Sequence, residues 1–418
     1  MSPYRPQFRL FNALITALAL VAAIPVSGAP RELADQHWVG VDRVVAIGDL
    51  HGDYEHYLQV LRDAGLINGR NKWSGGETHL VQTGDITDRG PDSIAIIDHL
   101  EGLKKQARRK GGRVHTLIGN HEAMNSYGDL TYVDPGEFNH FVGRNSKSLQ
   151  QRQWEFTLQQ LEARDPEAFS AMDLEAYRTQ WEEHYPLGWV EHRSAWMPSG
   201  EYGQWMLGNP VLLHINDTLF LHGGISSKYC HLSVQEMNSR AHSELENYNP
   251  AEPGMIEDEL GPLWYRGLIY GDPESMDPVV NAILASYKAE RIVVGHTPTG
   301  GVIWPLHDGR VVAIDTGIAA YYGGHAAFLE LGPGGPRAGY GDERLELPSK
   351  DDERETYLRA VMALDPGNSK LKAQLRRLLE SQEGPEPGAD KEVASDAAFA
   401  GPENSAGEAP ELSVDICL

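Results

Sequence analysis

Five short polar blocks carry the residue types that could do metal chemistry. Three of them read Gly-Asp-Leu-His-Gly at 48–52, Gly-Asp-Ile-Thr-Asp-Arg-Gly at 84–90 and Gly-Asn-His-Glu at 119–122. The other two are His-Gly-Gly at 222–224 and Gly-His-Thr at 295–297. Carboxylate oxygens, imidazole nitrogens and an amide oxygen are ligands for hard or borderline divalent metals, not the groups of a Ser or Cys nucleophile. The blocks therefore indicate a metal site.

Each block follows an apolar run that reads as a buried strand. Strands covered on both faces appear in sequence as continuous apolar runs. In open α/β sheets, ligands bind where the carboxyl ends of the strands meet. We therefore expect the blocks to gather at one edge of the fold. The preceding runs lie at 44–47, 80–83, 114–118, 219–221 and 292–294.

The pattern along the chain indicates an α/β fold with a helical insertion. Residues 42–125 read as strand, site and helix units, with crossover helices at 54–64 and 93–108. Residues 126–203 read as helices rich in Trp and Tyr. This insertion is either a cap that shapes substrate access or a helical layer packed for stability. Further strands are predicted at 210–215, 218–221, 291–294, 310–314 and 326–331.

The amino-terminal segment has the pattern of an export signal. Arg5 and Arg9 precede an apolar stretch at 10–26. Residues 1–28 are therefore typical of a signal peptide cleaved after Gly28 or, if uncleaved, of an anchor. We expect an exported protein, periplasmic or secreted, with no stable membrane span after cleavage. An uncleaved signal would leave the protein anchored to a membrane.

The carboxyl-terminal part is predicted to hold a helical hairpin and an acidic tail. Two helical stretches within 352–380 are separated by Asp-Pro-Gly-Asn at 365–368. A single pair of this kind is expected to pack as a hairpin and cannot form a solenoid. Residues 381–418 contain few large apolar residues, so this acidic tail is predicted to be disordered.

The composition of the chain limits the kinds of partner that it can bind. The formal net charge of −24 argues against nucleic acid or an anionic membrane surface as the main partner. It would also repel a phosphorylated substrate, so any phosphate site must be built from local cations. Cys230 and Cys417 stand in unrelated contexts without metal-type spacing, and we expect no disulfide framework.

The ligand set suggests two metals that share Asp85, whose two carboxylate oxygens can each contact one ion. Two divalent ions about 3.5–4 Å apart would activate a bridging hydroxide for direct attack on phosphorus and clamp a phosphoryl oxygen. We assign metal one to Asp49, His51 and Asp85, and metal two to Asp85, Asn120, His222 and His296.

Three neighbouring residues could complete a phosphomonoesterase. His121, oriented by Asp88, could protonate the leaving group; the alternative is a hydrogen-bond donor beside the metals. Arg89 suits two phosphate oxygens at once because its guanidinium is planar. A monoester dianion needs such extra cations, so Arg89 favours a monoesterase. The alternative role of Arg89 is a structural salt bridge to Asp88.

From about residue 41 to residue 331, the order of the blocks resembles the PPP-type calcineurin-like metallophosphoesterases. Within that superfamily, Gly-Gln-Trp at 203–205, the run at 219–224 and Gly-Pro-Leu-Trp-Tyr-Arg-Gly at 261–267 resemble the bacterial Shewanella-like protein phosphatases.

This resemblance implies a β-sandwich flanked by helices, in a catalytic domain spanning 41–346. It implies manganese, iron or zinc as the divalent ions. It also implies protein phosphatase activity on phosphotyrosine, on phosphoserine and phosphothreonine, or on both. Finally, it implies that Arg266 is a second phosphate-binding arginine.

One segment indicates a second possible class of substrate. Asp-Thr-Gly at 315–317 is similar to diadenosine tetraphosphate hydrolases, so hydrolysis of that dinucleotide or of other small phosphates is an alternative. Asp315 could support a metal-bound histidine or simply form a turn. Tyr321 or Tyr322 could supply an aromatic ring that covers the substrate.

Two further alternatives remain. A nuclease of the same fold is disfavoured by Arg89, by Thr297 where diesterases often have a histidine, and by the net charge. The non-enzymatic alternative is a metal-containing binding protein that uses the carboxyl-terminal hairpin and tail.

Overall fold

The computed structural model describes residues 35–383 together with Cys417. The predicted signal peptide at 1–28 and the tail residues 384–416 lie outside the described residues. Within the described part, the strands form two sheets of six strands each. In chain order the strands are β1 (His37–Trp38), β2 (Val44–Ile47), β3 (His79–Gln82), β4 (Arg113–Thr116), β5 (Leu212–Ile215), β6 (Thr218–Leu221), β7 (Arg291–Val294), β8 (Trp304–Leu306), β9 (Val311–Ala313), β10 (Ala327–Leu331), β11 (Arg337–Tyr340) and β12 (Glu343–Glu346).

Helices connect and flank these strands. Short 3-10 helices occur at Glu137–Phe141, Ala320–Tyr322 and Asp351–Glu353. Every helix in the described part of the chain is too short or too polar to cross a membrane. In chain order the α-helices are α1 (Tyr54–Asp63), α2 (Ser93–Arg108), α3 (Asn120–Tyr127), α4 (Ser146–Arg164), α5 (Pro166–Ser170), α6 (Leu174–His184), α7 (Trp189–Trp196), α8 (Glu201–Met206), α9 (Val234–Glu246), α10 (Gly267–Tyr270), α11 (Pro273–Tyr287), α12 (Arg354–Leu364) and α13 (Ser369–Glu383).

The first sheet delivers three of the polar blocks to one edge. Its strand order is β12-β11-β10-β2-β3-β4. β2, β3 and β4 are parallel, with Val44 opposite His79 and His79 opposite Arg113. Parallel neighbours need crossovers, which α1 and α2 supply. The blocks that begin at 48, 84 and 119 therefore leave the sheet at the same edge.

The second sheet delivers the other two blocks. Its strand order is β1-β5-β6-β7-β9-β8, and β6, β7 and β9 are parallel. His222 and His296 follow β6 and β7 at one edge of this sheet. The two sheets approach closely there, because a β-carbon on Gly48 would lie 2.4 Å from the carbonyl oxygen of Ile314. Glycine is therefore required at that position.

The core explains why the strands are apolar throughout. All four residues of β2, β5 and β6 are buried. Phe220 and Phe328 are completely buried, and each such side chain stabilises the fold by roughly 1.5–3 kcal/mol. Strands without a solvent face show no alternation of polar and apolar residues.

The predicted fold class, a helix-flanked β-sandwich with a helical insertion and a carboxyl-terminal hairpin, is confirmed. β1, β8, β11 and β12 and the helices α9 and α11 are absent from the sequence prediction. β1 has two residues, β8 contains Pro305, and β12 is mostly polar. Such strands form because neighbouring strands pair with them, not because of their own pattern.

The aromatic residues of the insertion pack mainly against one another. The ring centroids of Trp154 and Trp181 are 5.2 Å apart, and those of Trp181 and Tyr185 are 4.9 Å apart. Tyr185 in turn lies 4.9 Å from Trp189. These contacts link α4, α6 and α7 into a small aromatic core. Most aromatic residues of the insertion therefore serve packing.

The expectation that the two cysteines are unrelated is wrong. Cys230 and Cys417 form a disulfide across a sequence separation of 187 residues, and both are buried. Helix α13 also continues to Glu383, beyond the predicted end of the hairpin at 380. A contact between residues so far apart depends on how the whole chain packs, which no local pattern reveals.

Candidate active site

The turns after the strands place several site residues in left-handed backbone conformations. The φ angles are 44° at His51, 57° at Asp85, 73° at Asp88, 67° at Arg89 and 63° at His296. Residues other than glycine in this region store roughly 1–3 kcal/mol each and persist only where the surroundings hold them. Such strain gathers at functional sites.

Asp85 stands at the centre of the site. Its Oδ2 lies 3.2 Å from Nε2 of His222, 3.7 Å from Nε2 of His121 and 3.9 Å from Nε2 of His51. Its Oδ1 accepts a hydrogen bond from the backbone N–H of His121 at 3.0 Å. Burial raises the pKa of Asp85, but His222 and His121 outweigh burial and hold that pKa well below its usual value.

Two histidine rings turn their Nε2 atoms toward Asp85. Nδ1 of His51 lies 3.0 Å from the carbonyl of Thr87, and Nδ1 of His222 lies 2.9 Å from the carbonyl of Thr83. Because a carbonyl can only accept, Nδ1 of each ring donates, and Nε2 of a neutral ring then carries a lone pair. Burial lowers the pKa of His51 to about 3. Buried acceptors that face one another fit a cation between them.

A second set of donors adjoins the first through Asp85. Oδ1 of Asn120 lies 2.8 Å from Nε2 of His222. Nε2 of His296 is buried without a hydrogen-bond partner among the described residues, and burial lowers its pKa well below the usual value. An unpaired buried ring nitrogen beside a carboxylate also fits a metal ligand. Asp85 thus belongs to two donor groups, one with His51 and His121 and one with His222 and His296.

Asp49 adjoins the second donor group through the backbone of His296. By distance, His121 lies in one donor group with His51 and Asp85, and the assignment of Asp49 to metal one stays a prediction. The carboxylate of Asp49 accepts the backbone N–H of His296 at 3.1 and 3.2 Å. Burial and the nearby carboxylates of Asp315 and Asp85 raise the pKa of Asp49 well above its usual value. A divalent cation would relieve this crowding of carboxylates.

His121 and Asp88 form the predicted pair. Nδ1 of His121 lies 2.6 Å from Oδ2 of Asp88. Nδ2 of Asn125 donates to Oδ1 of Asp88 at 2.8 Å and to the carbonyl of His121 at 2.9 Å, which holds both partners in place. Burial lowers the pKa of His121, but Asp85 and Asp88 outweigh it and raise the pKa to about 9. The ring can therefore carry a proton at neutral pH.

Two arginines border the donor groups. The guanidinium carbon of Arg89 lies 4.0 Å from the ring centroid of Tyr132 and 5.1 Å from that of Tyr321. Nη1 of Arg266 donates to the carbonyl of His296 at 2.7 Å. The site thus combines acidic and imidazole donors with two cations, an arrangement suited to a bound phosphoryl group.

Residues 42–300 match the sequence model of the family described as calcineurin-like phosphoesterase, which is more than half of the chain. The chain belongs to this family. An uncharacterized protein of Schizosaccharomyces pombe is 32% identical to this phosphoesterase over 299 residues, covering 69% of this chain and 76% of that protein. Shewanella-like protein phosphatase 2 of Arabidopsis thaliana is 27% identical over 303 residues, covering 69% and 74% of the two chains.

A solved structure supports the same relationship. The cold-active protein-tyrosine phosphatase of a psychrophilic Shewanella species aligns with a TM-score of 0.57 and 27% sequence identity, covering 75% of this chain and 83% of that one. The resemblance to Shewanella-like protein phosphatases is therefore confirmed. The phosphoesterase is a metal-dependent phosphatase, and its His and Asp donor groups are suited to divalent metal ions.

Glu122 is a site residue to which the sequence prediction gives no role. Its buried carboxylate accepts the backbone N–H groups of Gly119, Asp85, Ile86 and Thr87 at 2.8, 2.8, 2.7 and 3.1 Å. Glu122 therefore ties the turn that carries Asp85 to the start of α3 in the phosphatase. Its place in the Gly-Asn-His-Glu block is the signal that could have found it.

The Asp-Thr-Gly segment has a structural explanation. Oδ1 of Asp315 accepts the N–H of Gly317 at 3.0 Å, and Oγ1 of Thr316 donates to the carbonyl of His325 at 2.7 Å. Burial raises the pKa of Asp315 to about 6. The segment thus forms a turn beside Asp49, as the turn-forming alternative expects.

Proposed function

We propose that this phosphatase is exported and removes phosphate from protein side chains, phosphotyrosine above phosphoserine and phosphothreonine. The observation that carries the proposal is the His121–Asp88 pair beside Arg89, at the edge of the Asp85 donor groups. An acid next to a guanidinium suits a phosphomonoester, which has one leaving group and a dianionic phosphate. The preference for tyrosine is supported by the similarity to the Shewanella protein-tyrosine phosphatase.

Each residue has a distinct task in this proposal. Arg89 binds two phosphoryl oxygens through its planar guanidinium, and Arg266, held by the carbonyl of His296, neutralises further phosphoryl charge. His121 gives its Nε2 proton to the departing side-chain oxygen, while Asp88 holds the ring and stabilises its charge. Bound divalent ions would activate water and neutralise phosphate charge.

The proposed metals are manganese, iron or zinc. Imidazole nitrogen, carboxylate oxygen and one amide oxygen form a borderline donor set, since thiolates are absent from the donor groups in the described part of the chain. Metal analysis of the purified protein tests this assignment. Two equivalents of one or more of these metals support it, and calcium or magnesium in their place would contradict it.

Export is proposed on two grounds. Residues 1–28 have the composition of a signal peptide, and buried disulfides such as Cys230–Cys417 are typical of oxidising compartments. Expression of the full chain in a bacterium, followed by fractionation and mass analysis, tests the proposal. A periplasmic chain that begins at Ala29 supports a cleaved signal. An intact chain in the membrane fraction indicates an anchor, and an intact cytoplasmic chain would overturn export.

The activity is tested by phosphate release from the chain beginning at Ala29. Matched phosphotyrosine, phosphoserine and phosphothreonine peptides are compared with diadenosine tetraphosphate, with manganese and with chelator. Chelator-sensitive release from the peptides, fastest with phosphotyrosine, is expected. Turnover confined to the dinucleotide would make the protein a small-phosphate hydrolase. A metal-loaded chain with no turnover would favour the binding-protein alternative.

A further inference from the structure

Two tyrosine rings lie close to the guanidinium group of Arg89, the proposed phosphate-binding residue. Tyr132 follows α3 at the start of the insertion, and its ring centroid is 4.0 Å from the guanidinium carbon. Tyr321 belongs to the 3-10 helix Ala320–Tyr322 near the other end of the catalytic domain, and its ring centroid is 5.1 Å from the same carbon. We call Arg89, Tyr132 and Tyr321 the tyrosine clamp.

We propose that Tyr132 and Tyr321 are specificity-determining residues. They form two aromatic walls beside the bound phosphate, against which the ring of an aromatic phosphate ester packs. The clamp thereby selects phosphotyrosine over phosphoserine. This inference rests on the proposed phosphomonoesterase activity and assigns its substrate selection to particular side chains.

Tyr132 also lies beside the proposed general acid. Its ring centroid is 5.4 Å from that of His121, the residue that protonates the departing oxygen. In the proposal, the group attached to that oxygen packs beside Tyr132. A phenyl ring there can make an offset or edge-to-face contact with the tyrosine, whereas the single methylene group of a serine ester is too small to do so.

Tyr321 supplies the second wall from the solvent side. Its side chain is 62% exposed although its ring lies near Arg89. Tyr322, the next residue, packs with its ring centroid 5.1 Å from that of His51. The turn is therefore anchored inside the site by one tyrosine and presents the other to an incoming ligand.

Both walls are held by distant parts of the chain. The backbone N–H of Arg89 donates to the carbonyl of Tyr132 at 2.9 Å. The N–H of Ala320 donates to Asp53, the N-cap residue of α1, at 2.8 Å. Nζ of Lys370 in α13 donates to the carbonyl of Tyr322 at 2.8 Å. Walls that are already in place lose little conformational entropy when a ligand binds.

The variants Tyr132→Leu and Tyr321→Leu test the clamp, with Tyr132→Phe and Tyr321→Phe retaining each ring. Each is assayed on phosphotyrosine and phosphoserine peptides of one sequence, together with inhibition by inorganic phosphate. We expect each Leu variant to lower kcat/KM for phosphotyrosine roughly 3- to 10-fold, mainly through KM. Values for phosphoserine and for phosphate inhibition should change less than about twofold, and the Phe variants should behave like the wild type.

Two other outcomes would contradict the proposal that the tyrosine clamp determines substrate specificity. Equal losses on both peptides and on phosphate binding would mean that the rings only orient Arg89. Unchanged kinetics with phosphotyrosine would mean that the rings do not contact the substrate. Tyr177→Leu is the matched control, because that half-buried ring of the insertion packs 5.7 Å from Trp154. Its selectivity should equal that of the wild type.

A second pair of substrates separates this inference from the proposed protein substrate. The same variants are assayed on p-nitrophenyl phosphate and on glycerol 2-phosphate. If the wild type does not hydrolyse either peptide but hydrolyses these esters, the proposal of a protein substrate is wrong. In that case, a selective loss of activity on the aryl ester in the Leu variants still supports the clamp. If the wild type hydrolyses no phosphomonoester, both proposals fail.

The hydrogen bond from Lys370 in the carboxyl-terminal hairpin to the carbonyl of Tyr322 provides an independent test of how the turn that carries Tyr321 is held. Lys370→Met should raise KM for phosphotyrosine roughly 2- to 5-fold with kcat nearly unchanged, because the turn that carries Tyr321 loses one of the hydrogen bonds that hold it. The neighbouring Lys372 is exposed, so Lys372→Met serves as the control. An equal effect of the two substitutions would contradict a positioning role for Lys370.

Discussion

At the scale of single residues, the site contains buried acceptor groups that repel one another, and a bound metal ion would remove this repulsion. Oδ2 of Asp85 faces the Nε2 lone pair of His51, and the carboxylates of Asp49 and Asp315 lie near that of Asp85. Acceptors that face one another in a buried site destabilise the metal-free protein. A cation between them turns the same arrangement into a set of ligands.

Metal should therefore stabilise the folded protein strongly. Saturating manganese is expected to raise Tm by several degrees over the chelated protein, since an ion at 1,000 times its Kd adds about 4 kcal/mol to the free energy of unfolding. Asp85→Asn should abolish turnover and most of this rise in Tm. Asp42→Asn, at an exposed carboxylate, is the control. A full rise in Tm in the Asp85 variant would contradict the shared-ligand role.

The acid role of His121 predicts a dependence on the leaving group. His121→Gln should slow an alkyl phosphate about 10²- to 10⁴-fold. The same change should slow p-nitrophenyl phosphate far less, because that leaving group needs little protonation. Steady-state kcat on both esters measures the difference, with the exposed His140→Gln as control. Equal losses on the two esters would assign His121 to the metals alone.

At the scale of elements, a buried carboxylate connects the insertion to the crossover helix α2. Oε2 of Glu137, in the 3-10 helix Glu137–Phe141, accepts the N–H of Ser93 at the start of α2 at 3.1 Å. The loop before α2 carries Asp88 and Arg89. The insertion thus supports the segment that carries Arg89, the proposed phosphate-binding residue, and its Tyr132 contacts Arg89 directly.

Glu137 predicts a pH dependence of stability. Burial raises its pKa from 4.5 to about 8, so the folded protein binds this proton more tightly than the unfolded chain does. The contribution is complete below pH 4.5 and is lost as pH rises through about 8, by at most about 1.4 kcal/mol per pH unit. Glu137→Gln should therefore lose less stability between pH 5 and pH 8 than the wild type.

Denaturant unfolding at several pH values measures this effect. The exposed Glu155→Gln is the matched control and should follow the wild type. Parallel stability profiles for Glu137→Gln and the wild type would show that Glu137 titrates normally in the folded protein.

At the scale of the whole molecule, one covalent link joins the carboxyl terminus to the catalytic domain. Cys230 lies between β6, which ends just before His222, and α9, and Cys417 packs beside it in the core. The disulfide limits the unfolded chain over a long loop, which typically stabilises the folded state by about 2–5 kcal/mol. It also suits an exported protein better than a cytosolic one.

Reduction should therefore lower stability without removing the catalytic groups. Reductant is expected to lower Tm of the full chain by several degrees, while phosphatase activity at low temperature persists. Cys417→Ser should have the lower Tm from the start and should not respond to reductant. A response of the variant equal to that of the wild type would mean that reductant acts elsewhere.

The sequence by itself determined the residue types of the site and the strands that deliver them. Continuous apolar runs predict β2, β6 and β7, because a strand that is buried on both faces has a continuous apolar sequence. The polar residues at the ends of these strands are neighbours in sequence, so Asp49, Asp85 and His222 could be identified without coordinates. The same holds for the His121–Asp88 pair, whose members lie in adjacent blocks.

Only the tertiary structure decided which of these groups meet. Asp49 accepts the backbone N–H of His296, four backbone N–H groups converge on Glu122, and Tyr132 lies on Arg89. The disulfide partner of Cys230 stands 187 residues away. These contacts depend on the spacing of the two sheets and on the docking of the insertion and hairpin. The periodicity of apolar residues in the sequence indicates whether a residue is buried, but not which distant residue it packs against.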